Sequence, residues 1–423
     1  MKKNLLAVLL CVTVAAAVFA AGTSERDVKK QNEKKETLLL WLPPFASGDS
    51  LDMEFWTAVL KPWAEQNNCN LAIEITPWGG YEEKYLTGFA SGEGPDVGYM
   101  YLEMFNDFIE MGTLADIEPY FTQKEKDNFI YWKQGKIKGG QYALPFVVGN
   151  PRIPYFNTDI LKKAGWDKLP RTWEELIQCT LDIKKLNLPD VMPIAMEWAD
   201  PAIGALNNIF YPYLWQAGGE IYNNEGTRVA LLDNDAAVKA ARFLYDLRFK
   251  YDVLPKESLA LDGKSVRDLF VQGKVAIASM DANSAATLKQ SNINWTYLPS
   301  FQNKTKAIWV ASDALIMNNA SKNKELAASL MKFITSKDTM TAFHTEISAF
   351  PSITFDEGYN ADPIFKPLFD NESQYFRTLP VAEGAFKVMD NLLKNLQLMM
   401  LGDLTPEKAI ANTVDYSKSV ISK

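Results

Sequence analysis

Aromatic rings stand beside polar groups in short segments that follow apolar runs of the chain. Trp78 and Tyr81 enclose a pair of glycines, and Trp198 lies between Glu197 and Asp200. Aromatic rings pack on the apolar C–H faces of a ligand, while carboxylates, amides and guanidinium groups hydrogen-bond its hydroxyls. This mixture of side chains is typical of a site for a neutral, polyhydroxylated molecule such as a sugar.

Further candidates for the same site occur along the rest of the chain. Trp215 ends the segment Tyr211-Pro212-Tyr213-Leu214-Trp215, which fits either a ligand site or a packed helix. Trp41 lies inside an apolar run and fits the core better than a ligand site, and Arg377 is a weaker candidate. The other candidates follow predicted strands or flank segments expected to cross between domains: Asn150, Arg152, Asp281, Asn283, Trp309 and Asp313.

The chain offers little for metal binding or covalent catalysis. His344 is its single histidine, and no Cys/His cluster has the spacing of a zinc site. A Ser-His or Cys-His catalytic pair would have to use that one histidine. We expect no cofactor, no metal and no enzymatic activity, although paired carboxylates keep an exported carbohydrate-active enzyme as an alternative. The net charge of −8 gives no general attraction to nucleic acid.

Strand and helix patterns alternate along the chain. Thr172 with Glu175 has the pattern of a capping box, and Thr405-Pro406 is a typical helix start. This alternation predicts an α/β protein with mostly parallel sheets covered by helices, in which ligands bind at the carboxyl ends of strands. The predicted strands cover 37–42, 71–75, 96–101, 153–157 and 275–280, and the main predicted helices cover 51–66, 81–90, 236–249, 323–335 and 389–400.

The N-terminus has the pattern of an export signal. Two lysines precede an apolar run from Leu5 to Phe19 that ends in small residues, which predicts a signal peptide over 1–21 and a polar leader over 22–36. The run is too short for a comfortable membrane span, which needs roughly 20 residues. Because Cys11 lies inside the run rather than at its end, we expect a periplasmic protein rather than a lipid-anchored one.

Short motifs follow one another from about Leu38 to the C-terminus. They are SGEGPDV (91–97), YALPF (142–146), YFNTDILKKAG (155–165), LPRTWEEL (169–176), FVQGKVAI (270–277), SKNKELAA (321–328), FPS (350–352) and LTPEKA (404–409). Any one motif is weak, but their order and spacing, together with the export signal, resemble family 1 of the bacterial extracellular solute-binding proteins. This family includes maltose-binding protein.

The resemblance implies the two-lobed periplasmic binding protein fold of type II, with a ligand cleft between the lobes. About 400 residues exceed a single core, which independently favours two domains. Cys69 and Cys179 would then lie in different lobes, and we expect two separate buried thiols. The chain would cross near 143–145, 297–299 and 349–351, so that lobe one covers 37–144 and 300–348 and lobe two covers 145–299 and 349–423.

The resemblance also implies a role and partners. A sugar that touches both lobes would favour their closed arrangement, and the transmembrane permease of an ABC importer, with a separate ATPase, would recognise the closed monomer. In maltose-binding relatives, the segment after the third strand supplies an aromatic ring and a carboxylate. Met100 occupies the place of the ring here with Tyr101 beside it, and Glu103 matches the acid, while Met104 stands where an arginine occurs.

The chemical class of the ligand stays open at this stage. The same fold could bind a polyol, glycerol phosphate or a peptide, although the candidate loops hold few of the Arg or Lys residues that a phosphate would need. A receptor module that presents its ligand to a sensor is a further alternative to the transport role.

Overall fold

The computed structural model describes residues 35–46, 49–348, 350–358 and 362–421. The predicted signal peptide and almost all of the predicted leader lie outside the described residues, as does Ala349 in the expected third crossing. Within the described ranges, no helix is both long enough and apolar enough to cross a membrane.

The predicted strands and helices are present, with ends that differ from the expected ones by at most four residues. The strands are β1 (Thr37–Leu42), β2 (Asn70–Ile75), β3 (Val97–Met100), β4 (Lys136–Ile137), β5 (Gly140–Gln141), β6 (Leu144–Gly149), β7 (Arg152–Asn157), β8 (Met192–Ala195), β9 (Val275–Asp281), β10 (Trp295–Tyr297), β11 (Ile308–Trp309), β12 (Ala311–Met317) and β13 (Phe376–Arg377). The helices are α1 (Asp49–Gln66), α2 (Tyr81–Ser91), α3 (Phe105–Glu110), α4 (Gln123–Asn128), α5 (Thr158–Lys163), α6 (Trp173–Lys185), α7 (Ala202–Ile209), α8 (Tyr211–Gln216), α9 (Ala236–Phe249), α10 (Gly263–Val271), α11 (Ser284–Lys289), α12 (Lys324–Ile334), α13 (Lys337–Glu346), α14 (Lys366–Glu372), α15 (Ala385–Leu401) and α16 (Pro406–Val420).

The first sheet has the strand order β2-β1-β3-β12-β6. Its first three strands are parallel and are joined through α1 and α2, as the alternating pattern predicts. Strand β12 runs antiparallel to both of its neighbours, β3 and β6. It enters this sheet directly from the other lobe instead of through a helical crossover, so the rule that favours parallel neighbours does not apply to it.

The second sheet has the order β10-β7-β9-β8. Strands β8 and β9 are parallel, whereas β7 is antiparallel to both β9 and β10. Both sheets are therefore mixed, which differs from the mostly parallel arrangement expected from the sequence. The antiparallel strands β7 and β12 are the ones that immediately follow a passage between the sheets.

The chain first passes between the sheets at residues 149–151. Strand β6 stays paired in the first sheet as far as Gly149, and Arg152 is already paired in the second. The crossing therefore lies a few residues beyond the expected 143–145, because the apolar run of β6 continues to pair with β12. Gly149 has φ 116° and Asn150 has φ 46°, and this left-handed backbone turns the chain sharply.

The later crossings lie close to the first one. The second runs from β10 to β12, and the third follows Thr354, which forms a β-bridge with Phe129 of the first lobe. Pro351 packs against the first crossing. Its Cγ atom lies only 2.9 Å from the position that a Cβ atom on Gly149 would occupy. The segment shortly before the third passage is thus packed on the first crossing.

Helix α15 connects the two lobes by packing rather than by chain passage. It contacts α7, α9 and α16, and it also contacts the helical turn Leu102–Met104 that follows β3. This helix therefore holds second-lobe structure against the carboxyl end of a central first-lobe strand, where the fold places ligands.

Local features predicted from the sequence are confirmed elsewhere in the fold. Thr172 forms a complete capping box with Glu175, and the side chain of Thr405 caps α16. No disulfide joins the two described cysteines, Cys69 and Cys179, and both side chains are buried. Burial raises the pKa of the Cys179 thiol to about 12, so this thiol is unreactive at neutral pH.

Candidate functional site

The loops that follow the strands of the two sheets meet at one place. The backbone amide of Phe45, after β1, donates to the carboxylate of Asp52 on α1 at 3.0 Å, which fixes the loop. The carbonyl of Phe45 accepts a hydrogen bond from the side-chain amide of Asn283, after β9, at 3.2 Å. Asn150 of the first crossing accepts from the backbone amide of Asn283 at 3.3 Å. The two predicted asparagines therefore lie at the contact between the lobes.

Arg152 lies at the start of β7 beside this contact. Its guanidinium group is 3.9 Å from the carboxylate of Asp281 and 5.0 Å from the ring centroid of Trp309. Its charge also acts to lower the pKa values of Asp313 and Glu197 against the larger effect of burial. Three predicted residues, Arg152, Asp281 and Trp309, are thus in contact, and Asp313 is near them.

Asp313 on β12 is buried, and its carboxylate is hydrogen-bonded within the first lobe. The hydroxyl of Tyr99 donates to its carboxylate at 2.5 Å. Burial raises the pKa of Asp313 to about 7, although this hydrogen bond and the charge of Arg152 oppose the change. Trp78 and Tyr81 pack beside Tyr99 and form one aromatic wall of the site with it. The ring centroids of Trp78 and Tyr81 are 5.5 Å apart, and that of Trp78 is 6.0 Å from the centroid of Tyr99.

The hydroxyl of Tyr81 already has partners in the chain. It donates to the carbonyl of Tyr99 at 2.9 Å and lies 3.3 Å from the hydroxyl of Tyr85. Its side chain is fully buried. Tyr81 therefore supports the wall that Trp78 and Tyr99 form, and its direct contact with a ligand stays a prediction.

Two carboxylates of the first lobe lie on the side that faces α15. Glu103 is only 3% exposed, and burial, with the neighbouring charges of Asp313 and Glu82, raises its pKa to about 8. Glu82, at the start of α2, accepts a hydrogen bond from the hydroxyl of Tyr101. Burial raises the pKa of Glu82 to about 7, and the charge of Asp390 adds to this effect. Tyr101 and Glu103 were predicted here, whereas Glu82 was not.

The second lobe contributes a row of aromatic rings from α8 and the strand-like segment after it. Tyr211 and Trp215 are stacked with centroids 5.9 Å apart, and the guanidinium of Arg377 lies 5.1 Å from the Trp215 ring. Trp215 was predicted, while Tyr211 and the nearby Tyr222 were missed. Tyr211 could have been found from the sequence, because it lies four residues before Trp215 and residues four apart on a helix share a face. Tyr222 lies in a turn-rich stretch with no periodic pattern.

Trp198 lies in the loop after β8, as predicted, but its ring is completely buried rather than exposed in a polar loop. Its carbonyl accepts a hydrogen bond from Gln397 of α15 at 2.7 Å. The neighbouring Glu197 accepts a hydrogen bond from Asn208, and burial raises the pKa of Glu197 well above its usual range. Asp200 accepts from the backbone amide of Gly263 at 3.1 Å.

Several buried polar atoms in these segments have no hydrogen-bond partner in the described chain, as do others elsewhere in the fold. An unpaired buried polar group costs about 1–3 kcal/mol, so a set of this kind is expected where a ligand supplies the partners. The arrangement can therefore bind a molecule that carries several hydroxyls. These atoms are the Nε of Arg152, the indole nitrogens of Trp198, Trp215 and Trp309, the amide oxygens of Asn207 and Asn208, and the hydroxyls of Tyr211 and Tyr222.

The described residues contain no group of three or more His, Cys, Asp or Glu side chains arranged to hold a metal ion. His344, on α13, pairs with Glu357, and its ring centroid lies 5.6 Å from that of Phe343.

Comparisons with known proteins agree on one family. A family model described as bacterial extracellular solute-binding protein matches residues 47–341. A binding protein of Brucella abortus is 25% identical over 374 residues, which are 85% of this chain and 88% of that protein. The diacetylchitobiose binding protein DasA of Streptomyces coelicolor is 25% identical over 352 residues, 78% of each chain.

Among solved structures, an ABC transporter solute binding protein of Thermotoga lettingae, bound with α-D-tagatose, has the same fold. It is 22% identical and aligns with a TM-score of 0.78 over 92% of this chain and 100% of its own. The match of the family model to most of the chain and the shared two-lobed architecture lead to one conclusion: this chain belongs to the bacterial extracellular solute-binding proteins.

Proposed function

We propose that this protein is the periplasmic substrate-binding component of an ABC importer, and that it binds a mono- or oligosaccharide between its lobes. The observation that carries the proposal is the set of buried, unpartnered polar atoms named above, which lie beside aromatic rings in the segments of the candidate site. The hydroxyls of a sugar would pair with these atoms, and its C–H faces would pack on the rings.

The charges near the site support a sugar over glycerol phosphate. The two arginines of the site are each already next to an acid: Arg152 lies 3.9 Å from Asp281, and Arg377 donates to both carboxylate oxygens of Glu220 at 2.6 and 2.7 Å. A phosphate would have to compete with these carboxylates, whereas a neutral hydroxyl would not. The names of two similar proteins, which bind diacetylchitobiose and α-D-tagatose, point to the same ligand class.

Ligand binding and lobe closure are linked in this proposal. In the closed arrangement, burial leaves several polar atoms unpaired, and each costs about 1–3 kcal/mol. A ligand that pairs with them removes this cost only when the lobes are together, and it therefore favours closure by its differential affinity. The left-handed backbone at Gly149 and Asn150 is the place where the first connection can absorb the rotation.

Delivery requires further proteins. A transmembrane permease would recognise the closed lobes, and a separate ATPase would drive transport. We propose no catalytic activity, and we propose that the protein acts as a monomer, exported by its N-terminal signal.

The proposal can be tested with a thermal-shift and calorimetry screen of the purified protein. The panel should contain neutral mono- and oligosaccharides, polyols, glycerol phosphate and short peptides. A ligand at one hundred times its dissociation constant adds about 2.7 kcal/mol to the free energy of unfolding. We expect a sugar to produce such a shift and to reduce the radius of gyration in solution scattering. A shift produced by peptides or phosphates, but by no sugar, would contradict the proposal.

A further inference from the structure

The guanidinium group of Arg152 has more hydrogen-bond donors than the protein uses. Arg152 opens β7 and is the cross-strand partner of Asp281 on β9. Its side chain is 16% exposed, and it makes one hydrogen bond within the described residues, from Nη1 to the carbonyl of Asn150 at 3.4 Å. The Nε atom is buried without a partner in this part of the chain, and Nη2 makes no hydrogen bond to it either. These two nitrogens form one edge of the planar group, so a whole edge is unpaired.

The charge of Arg152 is balanced although its donors are not. Nη1 lies 3.9 Å from Oδ2 of Asp281, which is close enough for an ion pair but too long for a hydrogen bond. The other oxygen of Asp281, Oδ1, accepts from the backbone amide of Ser284 at 2.8 Å and from its hydroxyl at 3.2 Å. These bonds orient the carboxylate, so that it offsets the positive charge without occupying the donors. An acceptor that carries no charge therefore suits the free edge better than an anion does.

The ring of Trp309 covers one face of the same guanidinium. Cζ of Arg152 lies 5.0 Å from the ring centroid, within the range of a cation–π contact. The backbone around Trp309 is fixed, because Trp309 pairs in register with Arg377 of β13 and the amide of Val310 donates to the carbonyl of Arg377 at 3.0 Å. Trp309 is only 6% exposed. With so little free surface, it offers a fixed face to the guanidinium rather than a platform to a sugar ring.

An unpaired edge of a guanidinium can recognise two oxygens at once. Its Nε–H and Nη2–H bonds are nearly parallel, and this fork matches two acceptors that lie side by side. Neighbouring hydroxyl oxygens on a sugar ring have that arrangement, and each can accept one hydrogen bond while its own proton is donated elsewhere. Lysine presents its donors from a single nitrogen and cannot reproduce the fork. The contact depends on orientation, which the ring of Trp309 and the carbonyl of Asn150 supply.

Resting on the proposed sugar-binding function, we propose that Arg152 selects the ligand by binding two neighbouring hydroxyl oxygens of a neutral sugar through its Nε–Nη2 edge. Trp309 is then a positioning residue, which acts on the ligand through Arg152, and Asp281 balances the charge. The ligand is accordingly a neutral sugar with an adjacent pair of free hydroxyls, and a sugar that lacks either of the two binds weakly.

The first test removes hydroxyls from the ligand. The probes are glucose, galactose, tagatose, maltose and diacetylchitobiose, and calorimetry on the full protein compares the tightest binder with its single-deoxy derivatives. Two derivatives that lack neighbouring hydroxyls should bind at least about tenfold more weakly than the parent sugar. In Arg152→Lys, which keeps the charge beside Asp281, the parent sugar should be weakened by a similar factor and these two derivatives should bind nearly as well as it does. Arg171→Lys, at an exposed arginine, is the matched control and should keep the original pattern.

The second test concerns the positioning role. Trp309→Phe keeps an aromatic face and removes the indole N–H, whereas Trp309→Leu removes the ring. We expect the phenylalanine variant to keep most of the preference for the parent sugar over the two deoxy derivatives, and the leucine variant to lose it. In the Arg152→Lys background, Trp309→Leu should weaken binding little further, because a residue that acts through another has little effect once that other is replaced. Melting temperatures establish that the variants are folded.

The outcomes separate this inference from the proposed function. If Arg152→Lys keeps the affinity and the pattern of deoxy losses, the inference is wrong while sugar binding stands. If the losses from Arg152→Lys and Trp309→Leu simply add, or if the two Trp309 variants are equally impaired, Trp309 contacts the sugar itself and its positioning role is wrong. If none of the probe sugars binds, the proposed function itself fails and the inference fails with it.

Discussion

Replacing Glu103 by glutamine should change how the stability of the protein depends on pH. Burial and neighbouring acids raise the pKa of Glu103 from 4.5 to about 8 in the folded chain. A raised pKa means that folding favours the neutral form. The stability that this group contributes is therefore fully present below pH 4.5 and is lost as the pH rises through about 8.

The size of this change in stability follows from the difference between the two pKa values of Glu103, 4.5 and about 8. A tenfold change in a protonation constant corresponds to about 1.36 kcal/mol, so ionising Glu103 inside the fold costs on the order of 5 kcal/mol. Because the side chain is only 3% exposed, solvent screening reduces this figure little. The glutamine variant carries no such cost, since its side chain is neutral at every pH.

Urea unfolding of both proteins near pH 5 and near pH 9 measures the difference. Near pH 5 the two free energies of unfolding should be similar, and near pH 9 the glutamine variant should be more stable by several kcal/mol. Other acids titrate in both proteins and cancel in the comparison, and Glu174→Gln, a control at an exposed carboxylate on α6, should follow the original protein. If the lobes open at high pH to hydrate Glu103, scattering will report a larger radius of gyration for the original protein only. Equal stability and equal radius at both pH values would refute the assignment of a buried carboxylate.

Three further predictions concern the binding site and the junction between the lobes. Tyr211→Phe should leave stability unchanged or slightly higher, because its buried hydroxyl is unpaired, yet it should weaken sugar binding about tenfold in calorimetry; unchanged affinity would remove Tyr211 from the site. Gly149→Ala should destabilise by about 1–3 kcal/mol in urea unfolding, because it combines φ 116° with a steric clash; Gly139→Ala, with φ 91° and open space, should cost less, and equal costs would exclude the clash. Asn283→Ala removes the hydrogen bond to the Phe45 carbonyl and should speed ligand release several-fold in stopped-flow fluorescence, whereas an unchanged rate would show that this bond does not hold the lobes together.

Elements with strong local signals could be predicted from the sequence. The apolar run 37–42 and the amphipathic stretch 236–249 match β1 and α9 residue for residue, because in each case periodicity and burial agree. Strand directions could not be predicted in the same way. The residues of β12 carry no local pattern that indicates which lobe the preceding segment belongs to. Its antiparallel pairing with β3 and β6 was therefore not predicted.

The site was predictable by residue type but not by environment. Arg152 and Trp309 flank segments expected to cross between the lobes, and Asp281 follows a predicted strand. The fold brings the three together. The burial of Trp198 was not foreseen, because its polar neighbours in the sequence suggest exposure while α15, almost two hundred positions later, covers it. Contacts of that range have no local signature in the chain.

The position of β12 has a consequence for how the chain acquires its structure. Strands β3 and β6 are both complete by residue 149, but each needs residues 311–317 as its neighbour. A nascent or translocating chain that ends before Ala311 therefore exposes two unsatisfied strand edges, which are prone to aggregation. The first sheet can be completed only after nearly three quarters of the polypeptide has emerged, so its folding is necessarily late and dominated by long-range contacts.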